Sequence, residues 1–494
     1  MGSALFLILY PVIVNHHLDS FRWVSRWLDG STLERVRDDP NWLGTPLDET
    51  FAQDLHNIPE EKNQHALLLF QCLIASIRPL CVKELGRIFA TELNLDPTSD
   101  GEEAVLAACS TSIVIVAEGS KIVQFSHTAA REFLISKRLP ALYPNISRYG
   151  TSLEAAHIVL SRACVNVLLR LDETADEAGL ENSPLASHAI QYWVDHTQYP
   201  NVASQNKDIM ERLFDPSKPH QAWIWMCDIG KGQKRTMDDL SSNQPQPTPT
   251  PLYYVGLYGF SGLVRYLVNT CHELVDIKGG YHGTPLHAAS YKGHLNTVQV
   301  LIEVGANVKT TNGQKTPLHA AFYGGHLDAM RDLLKGGADV DARDFSHNTL
   351  LHQASLNGQA EFVDLLLEYG ADTKACNENS WTPLHRAVLC GQIDVVQRLL
   401  EKGANVKAQS RDKNTPLHIA SITGKLDVVQ LLLKHGADVT TQGENDLTPP
   451  QVAEKRGHDG IAKLLSRSDY VGRRFELARL RRGWSSIAIP TMMP

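Results

Sequence analysis

From residue 284 to residue 436 the apolar positions fall into two alternating kinds of run. A short Ala-rich stretch, as in "AASYKGH" or "RAVLCGQ", is followed by a longer one such as "IDVVQRLLEKG" or "LDVVQLLLKHG". In the longer runs the apolar residues recur at three- and four-residue intervals, which places them on one face of a helix. Glycine closes each first run, at Gly293, Gly325, Gly358, Gly391 and Gly424, and each second run, at Gly305, Gly337, Gly370, Gly403 and Gly436. A glycine just beyond a helix takes the left-handed conformation without steric cost. The pattern predicts pairs of short helices, with polar stretches such as "ANVKAQSRDKN" forming a projecting turn between pairs.

The first helix of each pair opens on a fixed tetrapeptide. Thr-Pro-Leu-His begins at Thr284, Thr316, Thr382 and Thr415, Thr-Leu-Leu-His at Thr349, and Thr-Pro-Pro-Gln at Thr448. The steps are 32, 33, 33, 33 and 33 residues, and a further copy, Thr-Pro-Leu-Tyr, begins at Thr250, 34 residues upstream of the first. A catalytic motif has no reason to recur on such a ruler, whereas a stacked structural unit does. Thr382 is placed to cap its helix and Pro383 sits in the first turn, where a missing N–H costs nothing. Leu384 is expected in the core between units. His287, His319, His352, His385 and His418 fall on one edge of the stack. Neighbouring units lie roughly 10 Å apart, too far for two ligands of one zinc ion, so no metal is expected among these histidines. Cys390 takes the small slot before a glycine and reads as an ordinary packed or half-exposed residue.

These units are similar to ankyrin repeats over roughly 220 residues. The resemblance implies an α-solenoid in which His385 and its equivalents tie adjacent turns together through ring hydrogen bonds. It also implies protein partners, bound through the turn tips and the concave face of the first helices. Alignment on the threonines puts Trp381 one residue before its helix, at a projecting turn. Tyr291 and Tyr323 share one register seven residues after their threonines. Arg386 follows His385, and Lys292 and Asn357 precede a closing glycine. Aromatic residues and arginine on an exposed, repeated surface are typical of interface hot spots. The packing alternative is that Trp381 covers the neighbouring turn and the tyrosines rest on the next helix.

Upstream the pattern changes. Residues 47–93 read as three helices, the middle one carrying Leu67, Leu68, Leu69, Cys72, Leu73 and Ile74 on a broad apolar face. Pro79 breaks the chain after "ASIR". A helix over "EEAVLAACS" precedes two strand-like runs, "SIVIVAE" and "KIVQFSH", and Gly119-Ser120 between them predicts a tight hairpin. A helix over "TAAREFLISKRL" follows. Helices with a small hairpin suggest a winged-helix domain. Residues 151–230 read as helical, with "SLEAAHIVLSRACVNVLLRL" and "SPLASHAIQYWVDHT" at helical spacing, Ser183 a cap before Pro184, and Trp193, Trp223 and Trp225 as core.

Charge and cysteine usage narrow the function classes. The net charge is −8 over 494 residues, which gives no electrostatic reason to expect nucleic acid or an anionic membrane. Between residues 60 and 140 there are eight Lys/Arg against ten Asp/Glu, and the candidate recognition helix begins with Glu102 and Glu103, which a phosphate backbone would repel. Eight cysteines without a Cys-x-x-Cys pair suggest a reducing compartment, hence a cytoplasmic location. The apolar run at residues 4–14 is too short to span a bilayer, lacks the flanks of a secretory signal and is interrupted by Pro11; a remnant core strand or a misjudged gene start is favoured for it. No recognised catalytic, metal or cofactor motif stands in a supporting context, so no catalytic, cofactor-binding or metal residue is assigned.

Four segments carry a second resemblance: "FRWVSRWLD" at 21–29, "LDETFAQDLHNIPEE" at 47–61, "LFQCLIASIRPLCVKEL" at 69–85 and "IVQFSHTAAREFLIS" at 122–136. They resemble the region that follows the nucleotide-binding core in fungal NACHT-type proteins, the STAND class related to NOD-like receptors. The resemblance covers roughly residues 20–230. It implies a division into a remnant of the NACHT C-terminal region with the apolar start (1–45), a winged-helix domain (46–140), a helical connector (141–240), a Pro/Gln/Thr linker (241–251), about seven ankyrin repeats (247–468) and a basic tail (469–494). The fold class is mainly α. A NACHT core begins with Gly-x-x-x-x-Gly-Lys-Ser/Thr, and that string is missing here: Gly230-Lys231 and Gly424-Lys425 lack the spacing. Nucleotide binding is therefore not expected. The reading is a non-enzymatic interaction scaffold in sensing or signalling; the alternative is a fragment of a nucleotide-dependent switch whose core is missing from the gene model.

Overall fold

The computed structural model describes residues 44–95, 100–109, 113–117, 119, 121–170, 184–216 and 250–466. The apolar start, "FRWVSRWLD", Ser183, Trp223, Trp225, Gly230-Lys231, nearly all of the 241–251 linker and the basic tail lie outside the described residues. The fold is mainly helical. The chain divides near residue 240 into two compact units.

The first unit begins with α1 (Gly44–His56) and α2 (Asn63–Ala75). Helix α2 buries Leu68, Leu69, Phe70, Cys72, Leu73 and Ile74, a burial that stabilises by about 1.5–3 kcal/mol per large side chain. After Pro79 comes β1 (Leu80–Cys81), then α3 (Val82–Glu92), α4 (Asp100–Ala108), β2 (Val114–Val116) and β3 (Ile122–Phe125). The sheet has the order β1-β3-β2, antiparallel throughout, with Leu80 opposite Val123 and Val114 opposite Phe125. The hairpin falls within the two strand-like runs, though each strand is shorter than its run. Strand β1 was not expected, because two residues carry no periodicity. Helices α3 and α4 meet at two glycines: a Cβ on Gly101 would lie 2.3 Å from the Gly86 carbonyl oxygen, so only glycine allows this approach. The start of α3 is fixed by Glu84, which accepts the Cys81 N–H at 2.9 Å and pairs with Arg78.

Helices α5 (Thr128–Ile135) and α6 (Arg138–Leu142) follow the sheet. Then α7 (Leu153–Leu168), capped by Ser152 through the Ala155 N–H at 3.0 Å, packs on α8 (Ala186–Thr197). Two short helices, α9 (Val202–Gln205) and α10 (Lys207–Leu213), close the unit over α7. Trp193 and Phe214 are buried against each other.

Among the described residues the second unit is a run of seven helix pairs. The first helices are Pro251–Tyr258, Pro285–Lys292, Pro317–Gly324, Leu350–Asn357, Pro383–Cys390, Pro416–Thr423 and Pro449–Lys455. Their partners are Ser261–Asn269, Leu295–Glu303, Leu327–Lys335, Ala360–Glu368, Ile393–Glu401, Leu426–Lys434 and Asp459–Ser466. First helices pack on first helices and second on second, as the two apolar faces of each pair require. Leu286, Leu318, Leu351, Leu384 and Leu417 are fully buried at the equivalent position. Gly293 shows why glycine closes the first helix: its φ is +74°, and a Cβ there would sit 2.3 Å from His326 Nδ1 of the next repeat. Among the described residues, no helix is long and apolar enough to cross a membrane.

Candidate functional site

Each repeat is locked to the next by its threonine and histidine. In the fifth repeat the Thr382 N–H and hydroxyl both reach His385 Nδ1, at 3.1 and 2.9 Å. Nδ1 must accept from the backbone N–H, so the ring is neutral with its proton on Nε2. That N–H donates to the Asn414 carbonyl of the following turn at 3.2 Å. His287, His352 and His418 do the same towards Lys315, Trp381 and Leu447, at 3.0, 2.9 and 3.1 Å. His319 departs from the series: its Nε2 is buried without a hydrogen-bond partner. Burial pushes the pKa of His287, His319, His352 and His385 down to about 4. In the last repeat Gln451 replaces histidine and accepts the Thr448 N–H at 2.9 Å. The histidines are thus structural fasteners.

These fasteners set the height and direction of the turns and first helices, where the exposed chemistry lies. The repeats are ankyrin repeats. Models of ankyrin repeats match the chain: one describing three copies over residues 202–312, 252–344 and 343–410, and one describing many copies over residues 391–433. A curated relative, the azaphilone pigments biosynthesis cluster protein L of Monascus ruber, is 26% identical over 321 residues, covering 56% of this chain and 65% of the relative. The chain therefore spans just under two thirds of that relative's length.

The residues singled out in the ankyrin sequence are held in different ways. Trp381 is half-buried, its ring 5.8 Å from that of His385 and the Arg386 guanidinium 5.7 Å from its centre. Arg386 also donates to Asn348 Oδ1 at 3.3 Å, an oxygen that accepts from Asn377 at 2.9 Å. This pair is therefore largely engaged with its own stack, as the packing alternative holds. Tyr323 is exposed beside Lys315, whose ammonium lies 4.8 Å from the ring centre. Tyr291 is exposed and stacks on His282 at 4.5 Å. Lys292 and Asn357 are exposed at helix ends, and so is Cys390.

Two turn-tip residues escaped the sequence reading. Tyr281 is 68% exposed and Phe345 64%, more than Tyr291 and Tyr323 at 38% and 44%. Phe345 lies over Gly313 of the preceding turn, where a Cβ would meet its ring at 3.1 Å. The missed signal is an aromatic residue three or four positions before the threonine, in an otherwise polar turn. Beside Phe345, Asp344 accepts the N–H groups of Ser346 and Asn348, each at 2.9 Å, and the Gln353 amide at 2.9 Å. Burial alone would raise the Asp344 pKa; these hydrogen bonds outweigh it and hold the carboxylate below its ordinary range. The second to fourth repeats thus carry Tyr281, Tyr291, Tyr323 and Phe345 together with Lys315 and a fixed anion, Asp344.

Proposed function

We propose that this chain is a protein-binding scaffold whose ankyrin stack engages its partner through the turn tips and first helices of the second to fourth repeats. The observation that carries this reading is the set of four exposed aromatic residues, Tyr281, Tyr291, Tyr323 and Phe345, on elements held in place by the threonine–histidine fasteners. Aromatic side chains offer a large contact area with few rotatable bonds, and interface hot spots are enriched in tyrosine for that reason. Lys315 and Asp344 add one charge of each sign, which suits a partner surface of mixed polarity. Trp381 and Arg386 serve this face as supports for the fourth and fifth turns.

The proposed context is a NACHT-derived sensing or signalling protein. What supports it is the order of elements over residues 46–140, with helices interrupted by a small antiparallel sheet, as a winged-helix domain requires, and the helices that follow as a connector. The proposed division keeps the linker at 241–251, the repeats at 247–468 and a basic tail beyond. A cytoplasmic location is part of this proposal. The relative's name associates that protein with a pigment biosynthesis cluster, and no activity is carried over from it. The test is co-purification with the full chain and with a Tyr281→Ala, Tyr323→Ala, Phe345→Ala variant of matched thermal stability. Loss of the proteins recovered with the wild type is expected; their full retention would overturn the placement of the interface.

A further inference from the structure

We propose that the seam between α7 and α8 of the first unit binds a divalent transition metal ion, with zinc the best fit, through Cys164, His188 and His196. All three side chains are fully buried, and one ligand atom from each lies within 4.8 Å of the others. The two histidine Nε2 atoms face one another at 3.2 Å. Two nitrogens bound tetrahedrally to one zinc ion at its usual bond length are about 3.3 Å apart, so this edge of the site is already formed. The sulfur lies within 4.8 Å of a ring nitrogen of each histidine, against about 3.6 Å in a loaded tetrahedral site, so binding would draw it inward.

Helix geometry explains the convergence. His157 and Cys164 stand seven residues apart on α7, two turns along one face, and His188 and His196 stand eight apart on α8. His157 Nδ1 lies 3.1 Å from His196 Nδ1. That is where a second residue sits when it accepts the free N–H of a metal-bound imidazole and orients it. Hydrogen bonding alone does not account for the cluster. Whichever way the protons run along the three rings, His188 Nδ1 is left buried without a partner.

The donor set selects the ion. One thiolate and two imidazoles suit a borderline-soft cation such as zinc and not magnesium or calcium, which take oxygen. Binding releases the Cys164 thiol proton to solvent and forms a metal–sulfur bond. Each imidazole binds the ion as a neutral ring, through its Nε2 lone pair. Arg78, the cation that acts electrostatically on both His188 and Cys164, is neutralised by Glu84, with Nη1 and Oε2 3.2 Å apart. Three protein ligands leave the fourth tetrahedral position to a water molecule, and the ion would join α7 to α8.

The test uses the full chain, stripped with a chelator and titrated with Co²⁺ and then Zn²⁺. One equivalent of Co²⁺ is expected to give intense tetrahedral visible bands and a thiolate-to-cobalt charge-transfer band, both removed by Zn²⁺. Cys164→Ser should lose the charge-transfer band, and His196→Gln should weaken Zn²⁺ binding at least 100-fold. His157→Gln should weaken it about tenfold, the effect of removing an orienting partner. The exposed cysteines provide the control: Cys376→Ser with Cys390→Ser should change nothing. An undiminished charge-transfer band in Cys164→Ser, or no saturable band in the wild type, would overturn the assignment. If the variants fail to fold, X-ray absorption on the zinc-loaded wild type decides. One sulfur and at least two imidazoles around the metal support the site, and a shell of nitrogen and oxygen alone refutes it.

Discussion

In the ankyrin stack a buried histidine meets a threonine three residues back and, in four of the five cases, a carbonyl 28 or 29 residues ahead. In the first unit the buried histidines meet one another, His157 to His196 and His196 to His188, across two helices. Both arrangements bury neutral imidazole. The first gives every ring its threonine and, except at His319, a carbonyl as well, partners that recur with the repeat. The second brings lone pairs together and leaves one nitrogen over, so it has capacity to spare for a ligand. A buried histidine is a fastener where its partners are local and periodic, and a candidate ligand where its partners are other titratable side chains.

The sharpest way to break this comparison is to remove a satisfied fastener. His385→Ala should destabilise the chain by about 2–4 kcal/mol, because it opens a cavity and deletes bonds at Thr382 and Asn414 together. His319→Ala should cost visibly less, since its Nε2 has no partner to lose. Urea midpoints of the two variants compare them directly, and equal losses would deny the fastener role of Nε2.

Close backbone packing distinguishes the units next. Gly101→Ala in the first unit forces a Cβ against the Gly86 carbonyl and should cost about 1–3 kcal/mol by overpacking. Gly403→Ala in the stack meets open space and should cost about 1 kcal/mol, all of it from the positive φ of +83°. Thermal unfolding that ranks Gly403→Ala as the worse of the two would contradict this.

Acid should then weaken the stack. Four fastener histidines have folded pKa values of about 4 against 6.5 when unfolded, so the unfolded chain binds more protons between those values. Their contribution is intact above pH 6.5 and is lost progressively as pH falls towards 4. Glu273, pushed up to about 7 chiefly by burial, works in the opposite sense: its cost is relieved as pH falls below 7. Asp341 is raised too, but His294 and His418 are lowered like the other four, so the lowered histidines outnumber the raised carboxylates and the net slope runs towards instability in acid. Denaturation midpoints at pH 7.5 and 5 should show the drop, and His385→Gln should flatten it.

The smallest effect on stability belongs to the exposed face. Tyr281→Ala and Phe345→Ala should each change stability by less than about 1 kcal/mol, because both side chains are mostly in solvent. A larger loss would mean that these rings hold the turns together rather than face a partner.

Much of this was readable from the residues. The 33-residue ruler located the first helices of the repeats because every local signal agreed: threonine cap, proline, buried leucine and closing glycine. The same ruler draws the choice of interface residues to positions next to the repeated tetrapeptide. Trp381 and Arg386 lie there and prove to be occupied with each other and with Asn348. Tyr281 and Phe345 lie in the turns, where no repeat pattern marks them. In the first unit the hairpin was legible from two apolar runs, whereas β1 was too short to show. The Cys164, His188 and His196 cluster had no signature, because its members are brought together by the packing of two helices and not by spacing along one.

The proposed partner contact lies at the turn tips and first helices of the middle repeats. It is tested most directly by a photo-crosslinking amino acid placed at position 323 or 345, compared with the same group at position 397 on an exposed second helix. The account predicts a discrete crosslinked partner from positions 323 and 345 and none from 397. Crosslinking from 397 with none from 323 or 345 would place the partner on the opposite helices and contradict it.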